Sequence, residues 1–276
     1  MSSNTDPEPT RIVVSPDGTP IAVFGSGDGP RVPLVLVHGA TADHTTFRAV
    51  GPVFGRTRPV FAIDRRGRGT SGDAATYAIE REFEDVAAVA DDLARTFGGP
   101  VDVLGHSYGG RCALGASLRT AAIRRVVAYE GAPVPAGSSY RPDGLLDGVR
   151  AALARGDPDA ALSGFLSGVV GMSAAELARY RAESVWPARV AAAHTIVREL
   201  EAEVGPAAGL EALGAVSVPV LLILGGASRS PFAVGTDAML ARLANGRVVT
   251  IEGAAHAAHH THVQEFVAAV EAFLDS

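Results

Sequence analysis

The sequence predicts an α/β fold: a mostly parallel, eight-stranded sheet flanked by helices, with a helical insertion after the sixth strand. Three observations carry this. Short apolar runs alternate with helical stripes along most of the chain. Several runs are apolar throughout, as strands covered on both faces tend to be. The alternation stops between residues 133 and 216, where helical patterns follow one another and no strand stands out.

Taken in order, "RIVVS" (11–15) and "PIAVFG" (20–25) are joined by "PDGT", a turn signal, and predict an antiparallel edge hairpin. "PLVLVHG" (33–39) and "PVFAID" (59–64) follow as buried strands. Over residues 79–97, Phe83, Val86, Ala90, Leu93 and Phe97 recur at steps of three and four and give a helix one apolar stripe. "VDVLGHS" (101–107) is the fifth strand, with a helix at 107–120, and "RRVVAYE" (124–130) is the sixth. After the insertion come "VPVLLILG" (218–225), "GRVVTIE" (246–252) and a last helix at 261–274. The insertion is Ala-rich and punctuated by Pro142, Gly156, Pro158, Gly171, Pro187 and Gly205. It is expected to lie over the carboxyl edge of the sheet as a cap. The division is a core of residues 1–132 and 217–276 with a cap of 133–216, and no internal repeat or low-complexity segment appears.

Composition narrows the function. The chain has 276 residues, 47% of them hydrophobic and 20% charged, enough for a sizeable core. A net charge of −6 argues against a nucleic-acid partner, and no apolar run reaches the length of a membrane span. The start, "MSSNTDPEPT", is polar and acidic and reads as a leader rather than a signal peptide. The single Cys112 excludes an internal disulfide, so a reduced cytoplasm is the expected setting. All 24 basic residues are Arg. Without a lysine the chain can offer neither a Schiff base nor the lysine of a phosphate-binding loop. The Arg, Ala and Gly bias fits a GC-rich bacterial genome.

The strongest local signal is "VDVLGHSYGGRCAL" (101–114), in which Gly-His-Ser-Tyr-Gly stands between a buried strand and a helix. This is the G-x-S-x-G nucleophile elbow in both residues and context. Ser107 must sit on a tight turn for its hydroxyl to project, and Gly105 and Gly109 leave room for the chain to pack closely. The helix N-terminus behind it favours developing negative charge.

With that motif the chain resembles the α/β-hydrolases, in particular small serine hydrolases of esterase type with a helical cap, from about residue 32 to the C-terminus. "LVLVHGAT" (34–41) resembles the family's oxyanion loop, "AIDRRGRGTS" (62–71) the loop after its fourth strand, and "IEGAAHAAH" (251–259) the segment carrying its histidine. The resemblance implies oxyanion donors at the backbone N–H groups of Ala40 and Tyr108. It also implies that His38 is a structural histidine shaping its loop.

His256 comes last in chain order, in a Gly-Ala-Ala-His turn, and is the base that would activate the serine hydroxyl. His259, His260 and His262 lie close by. They lack an interleaved Glu or Cys, so they read as a solvated helix start rather than a metal site, and neither metal nor cofactor is expected. "GRGTSG" (67–72) spells G-x-G-x-x-G, but helical periodicity begins only at about residue 79, so it is a loop and not a dinucleotide fingerprint. Asp64, Arg65 and Arg66 are then loop-shaping residues.

The acid is displaced. In the family it usually follows the seventh strand, where this chain reads "GGASRS" (225–230) with Ser228 at the acidic position. Glu130 closes an otherwise apolar sixth strand, the place from which some α/β-hydrolases, haloalkane dehalogenases among them, take their acid. Glu130 is the expected acid; Asp237, or no acid at all, are the alternatives.

These parts imply acyl transfer through an acyl-enzyme to a small, largely uncharged ester, thioester or lactone. Phe165, Tyr180, Trp186 and Phe232 are available as pocket lining. Alternatives are a perhydrolase or a carbon–carbon bond hydrolase with the same site, or a small-molecule binding protein of this fold. The sequence says nothing of oligomeric state.

Overall fold

A computed structural model describes residues 8–276; residues 1–7, most of the polar leader read from the sequence, lie outside the described residues. Eight strands form one sheet: β1 (Arg11–Val14), β2 (Pro20–Ser26), β3 (Leu34–Val37), β4 (Val60–Ile63), β5 (Val101–His106), β6 (Ile123–Tyr129), β7 (Val220–Gly225) and β8 (Gly246–Ile251). Their order is β1-β2-β4-β3-β5-β6-β7-β8. β2 runs antiparallel to both β1 and β4, and every other pair is parallel.

The central strands are buried because both faces are covered, while the edge strands β1 and β8 are largely exposed. In β3 all four residues are buried, and the two-residue period sends them to different cores. Val35 and Val37 meet Phe83, Val86 and Ala90 of the helix Ile79–Phe97 and Cys112 and Ala113 of the helix Tyr108–Ser117. Leu34 and Leu36 share the other core with Phe266, Val270 and Phe273 of the helix Val263–Leu274. Helix and helix touch closely on the first face: a Cβ on Gly115 would lie 2.4 Å from the Phe83 ring.

One residue of the expected stripe behaves differently. Phe97 is 45% exposed, and its ring packs edge to face on Phe61 with the ring centres 5.6 Å apart. The reason is local: Gly98 takes the left-handed conformation and donates its N–H to Ala94, ending the helix there. The last turn therefore projects past the core.

Between β6 and β7 the described chain is helical, from Leu145–Ala154 through Ile196–Ala202 to Leu210–Leu213. These helices bury an apolar cluster of their own, including Val149, Leu162, Phe165, Trp186, Ile196 and Leu200. No helix among the described residues is long and apolar enough to cross a membrane.

Candidate active site

The site lies where β3, β5, β6, β7 and β8 end, the edge at which a parallel α/β sheet gathers its functional groups. Ser107 follows β5 with φ 53° and ψ −124°, a conformation that L-residues avoid and that costs about 1–3 kcal/mol. Close packing enforces it. A Cβ on Gly105 would stand 2.2 Å from the Gly109 carbonyl oxygen, and one on Gly109 would stand 2.3 Å from that of Val37. The Ser107 N–H is held by the Tyr129 carbonyl at 2.8 Å. Among the described residues, the non-glycine residues with positive φ are Thr41, Ser107 and Glu130, following β3, β5 and β6. Strain is thus concentrated at one edge of the sheet.

Glu130 is buried, and its carboxylate is held on both oxygens. Oε1 accepts the Gly225 N–H at 2.8 Å and Oε2 lies 2.5 Å from His256 Nδ1. With Nδ1 donating to Glu130, the lone pair of the imidazole sits on Nε2. The His256 ring stacks on Phe232 at 4.6 Å. Its turn is pinned from below, because the Tyr129 hydroxyl donates to the Ala255 carbonyl and accepts the Ala258 N–H at 2.9 Å. His106 Nε2 lies 2.9 Å from the His256 carbonyl oxygen.

Ala40, Ser107, Tyr108, Glu130, Phe165 and Phe232 line one cavity. The backbone N–H groups of Ala40 and Tyr108 are not donated to any other described residue. No hydrogen bond joins the Ser107 hydroxyl to the imidazole among the described residues; such bonds are often long without substrate and tighten when it binds.

The alternatives to Glu130 sit elsewhere. Asp237 is exposed on the helix Ser230–Leu240. The Ser228 hydroxyl is buried close to Gly225, without a hydrogen-bond partner among the described residues. His38 is buried between the Gly39 carbonyl and the Arg65 N–H, at 2.8 and 3.0 Å, and burial holds its pKa well below the usual range. Asp64 accepts the N–H groups of His44 and Thr70, both at 2.9 Å, and Arg66 forks onto Asp85 at 2.7 Å, so the "GRGTSG" loop is shaped by its own polar bonds.

One expectation needs correction. His259 does not belong to a solvated helix start: it is 2% exposed, packed 4.5 Å from the His106 ring, and burial pushes its pKa well down. His260 is lowered to about 4, again chiefly by burial. Among the described residues no group of three or more His, Cys, Asp or Glu side chains could hold a metal ion. Arg111, Glu199 and Glu203 also face the cavity. Of the aromatic candidates Phe165 and Phe232 line it, whereas Tyr180 and Trp186 pack on each other, edge to face at 5.5 Å.

Sequence reasoning missed Tyr129 and the charged floor. Arg65 forks onto Glu82 at 2.6 and 2.8 Å and bonds Glu199 Oε1 at 2.5 Å, and Arg68 bonds the same oxygen. The Arg65 guanidinium also lies 4.7 Å from the centre of the Tyr108 ring. These residues meet across long separations in sequence: Arg65 and Arg68 stood in the loop after the fourth strand, but Glu82 and Glu199 stood in no motif.

The alpha/beta hydrolase family matches residues 34–269 of the chain. Pimeloyl-[acyl-carrier protein] methyl ester esterase from Neisseria meningitidis is 30% identical over 264 residues, which cover 88% of this chain and 92% of that protein. A crystal structure of an alpha/beta hydrolase from Sphaerobacter thermophilus superposes with a TM-score of 0.77 at 31% identity, covering 93% of this chain and 99% of that one. A probable oxidoreductase, EphD, from Mycobacterium tuberculosis is 37% identical over 105 residues, and that match spans only 17% of its length.

Proposed function

The chain belongs to the alpha/beta hydrolase family, and we propose that it is a serine hydrolase cleaving a small carboxylic ester, thioester or lactone through an acyl-enzyme. The observation that carries this reading is the buried Glu130–His256 pair at 2.5 Å, beside a strained Ser107 that opens into the same cavity as Glu130. Its likeness to an esterase over most of both chains supports the bond class.

In the proposed reaction His256 Nε2 takes the proton of Ser107 as its Oγ attacks the substrate carbonyl carbon. Glu130 keeps the imidazole in the required tautomer and stabilises the imidazolium that forms. The carbonyl oxygen becomes an oxyanion facing the Ala40 and Tyr108 N–H groups; losing one such donor typically costs about a hundredfold to a thousandfold. Collapse breaks the ester bond, and the imidazolium passes its proton to the departing alkoxide. Water, deprotonated by the same imidazole, then releases the acid and restores Ser107.

The helices of residues 133–216 act as a cap in this reading, supplying Phe165, Glu199 and Glu203 to the cavity. The charges there are balanced, two arginines against Glu82 and Glu199 and Arg111 beside Glu203, which favours a substrate of no net charge. A fluorophosphonate probe tests the reading: it should label wild type at Ser107 and leave Ser107→Ala unlabelled. Hydrolysis of p-nitrophenyl acetate should be lost in the same variant. A wild-type protein that takes no label would remove the serine-hydrolase assignment.

A further inference from the structure

Glu199 stands on the helix Ile196–Ala202, 2% exposed, and faces the cavity into which Ser107 opens. Its two oxygens are treated unequally. Oε1 accepts from Arg65 Nη2 at 2.5 Å and from Arg68 Nη2, whereas Oε2 is buried and has no partner. A buried acceptor left empty is costly, and native proteins fill nearly all of them. The surroundings say what would fill this one. Phe165, Val169, Leu200 and Phe232 make the neighbouring wall of the cavity apolar. A cationic group would meet Arg65 and Arg68 as well as the carboxylates, so the arrangement suits a neutral donor. Glu203, beyond Glu199, offers no competing open charge: Arg111 Nη1 lies 3.5 Å from its carboxylate, and burial raises its pKa.

We propose that Glu199 Oε2 is a specificity-determining acceptor, and that the cavity takes an ester carrying a neutral hydrogen-bond donor, a hydroxyl or an amide N–H, at the end of one of its chains. The inference rests on the serine-hydrolase reading for the position of the reacting bond. It deepens that reading, because the Ser107 site alone is indifferent to what lies at the far end of the substrate.

The test uses matched pairs of esters, one member with an acetamido N–H and the other with CH₂ in its place. One pair carries the group on the acyl chain as a p-nitrophenyl ester, the other on the alcohol chain. Wild type should favour the N–H member of at least one pair by about tenfold or more in kcat/KM, the scale of a hydrogen bond to a charged acceptor. Glu199→Gln, which sets an amide NH₂ where Oε2 lies, should abolish or reverse the preference. If that variant does not melt cooperatively, Glu199→Asp, which keeps the charge and withdraws the oxygens by one methylene, carries the comparison. Equal kcat/KM within both pairs, or a preference that survives at position 199, overturns the inference. Cleavage of p-nitrophenyl acetate, lost in Ser107→Ala, reads the hydrolase assignment by itself. If that fails, calorimetric titration with the same pairs still decides the subsite.

Discussion

A carboxylate can hold an imidazole in one tautomer only if it is itself held, and Glu130 is: one oxygen on the Gly225 N–H at 2.8 Å, the other 2.5 Å from His256 Nδ1. Its backbone pays for this reach with a φ of 47°. Glu130→Gln should therefore lower kcat by roughly ten-thousandfold, the typical loss when a triad acid is disabled, while Asp237→Asn leaves it unchanged. Ser228 offers a sharper version of the same test. Its hydroxyl is buried without a partner, and it lies within 2.7 Å of where a Cβ on Gly225 would stand, beside the backbone group that Glu130 grips. In the background of Glu130→Gln, Ser228→Asp would restore a carboxylate after β7 and should recover about tenfold or more of the lost turnover. Steady-state kinetics on p-nitrophenyl acetate reads both. Full activity in Glu130→Gln would show that the imidazole is oriented by something else.

At the scale of elements, the segment from β8 to the last helix decides where His256 sits, and Tyr129 holds it. Tyr129→Phe leaves the Ala255 carbonyl and the Ala258 N–H without their partner, a loss of about 1–3 kcal/mol. Because His256 lies between those two residues, kcat should fall with KM nearly unchanged, alongside a lower Tm; loss of Tm alone would make Tyr129 a structural residue only. The same segment carries an acid-sensitive ring. His259 is buried among Phe47, His106, Tyr129 and Phe266 with Nδ1 unpartnered, and burial, followed by His106, His260 and His256, puts its pKa well below 6.5. The fold thus favours the neutral ring. Its contribution is complete above about pH 6.5 and is lost as pH falls below that value, where the unfolded chain binds a proton that the folded one refuses. His259→Leu should gain on wild type in Tm as pH drops from 6.5 to 5; parallel curves would dismiss the idea. Much of this level could be read from the sequence. Strands apolar on both faces and the G-x-S-x-G turn placed the eight strands to within a residue or two, and Glu130 stood out because nothing else polar ends β6. What could not be read depends on contacts between distant segments. His259 looks polar and loop-like until Phe47 and Phe266 close over it, and Glu199 is one more charge on a helix between β6 and β7 until Arg65 and Arg68 reach it.

Over the whole molecule the two edges of the sheet have opposite tasks. The carboxyl edge carries the strained residues Thr41, Ser107 and Glu130 and an unfilled acceptor, all of which work against the folded state. The amino edge carries bonds that tie chain segments together. Arg58, fully buried just before β4, bonds Glu271 and Asp275 of the C-terminal end at 3.1 Å and lies 3.6 Å from the buried Asp102 at the start of β5. Arg124 reaches the same Asp102 at 2.7 Å. Removing Arg58 leaves Asp102 with Arg124 and leaves Glu271 and Asp275 with the half-exposed Arg31, so the loss is at most that of a broken buried pair, about 3–5 kcal/mol. Arg58→Met keeps most of the volume and removes the charge. It should lower Tm by up to roughly 20 °C, at about 2–4 °C per kcal/mol for a chain of this size. Activity at 25 °C should not change while the protein stays folded, because the strand ends that position Ser107 and Glu130 lie a full strand away. Glu271→Gln in the same background should add little, since only its half-exposed pair with Arg31 then remains to be lost. A Tm equal to wild type would mean that desolvation cancels the attraction. A fall in kcat at 25 °C with the fold intact would mean that the amino edge also sets the geometry of the site.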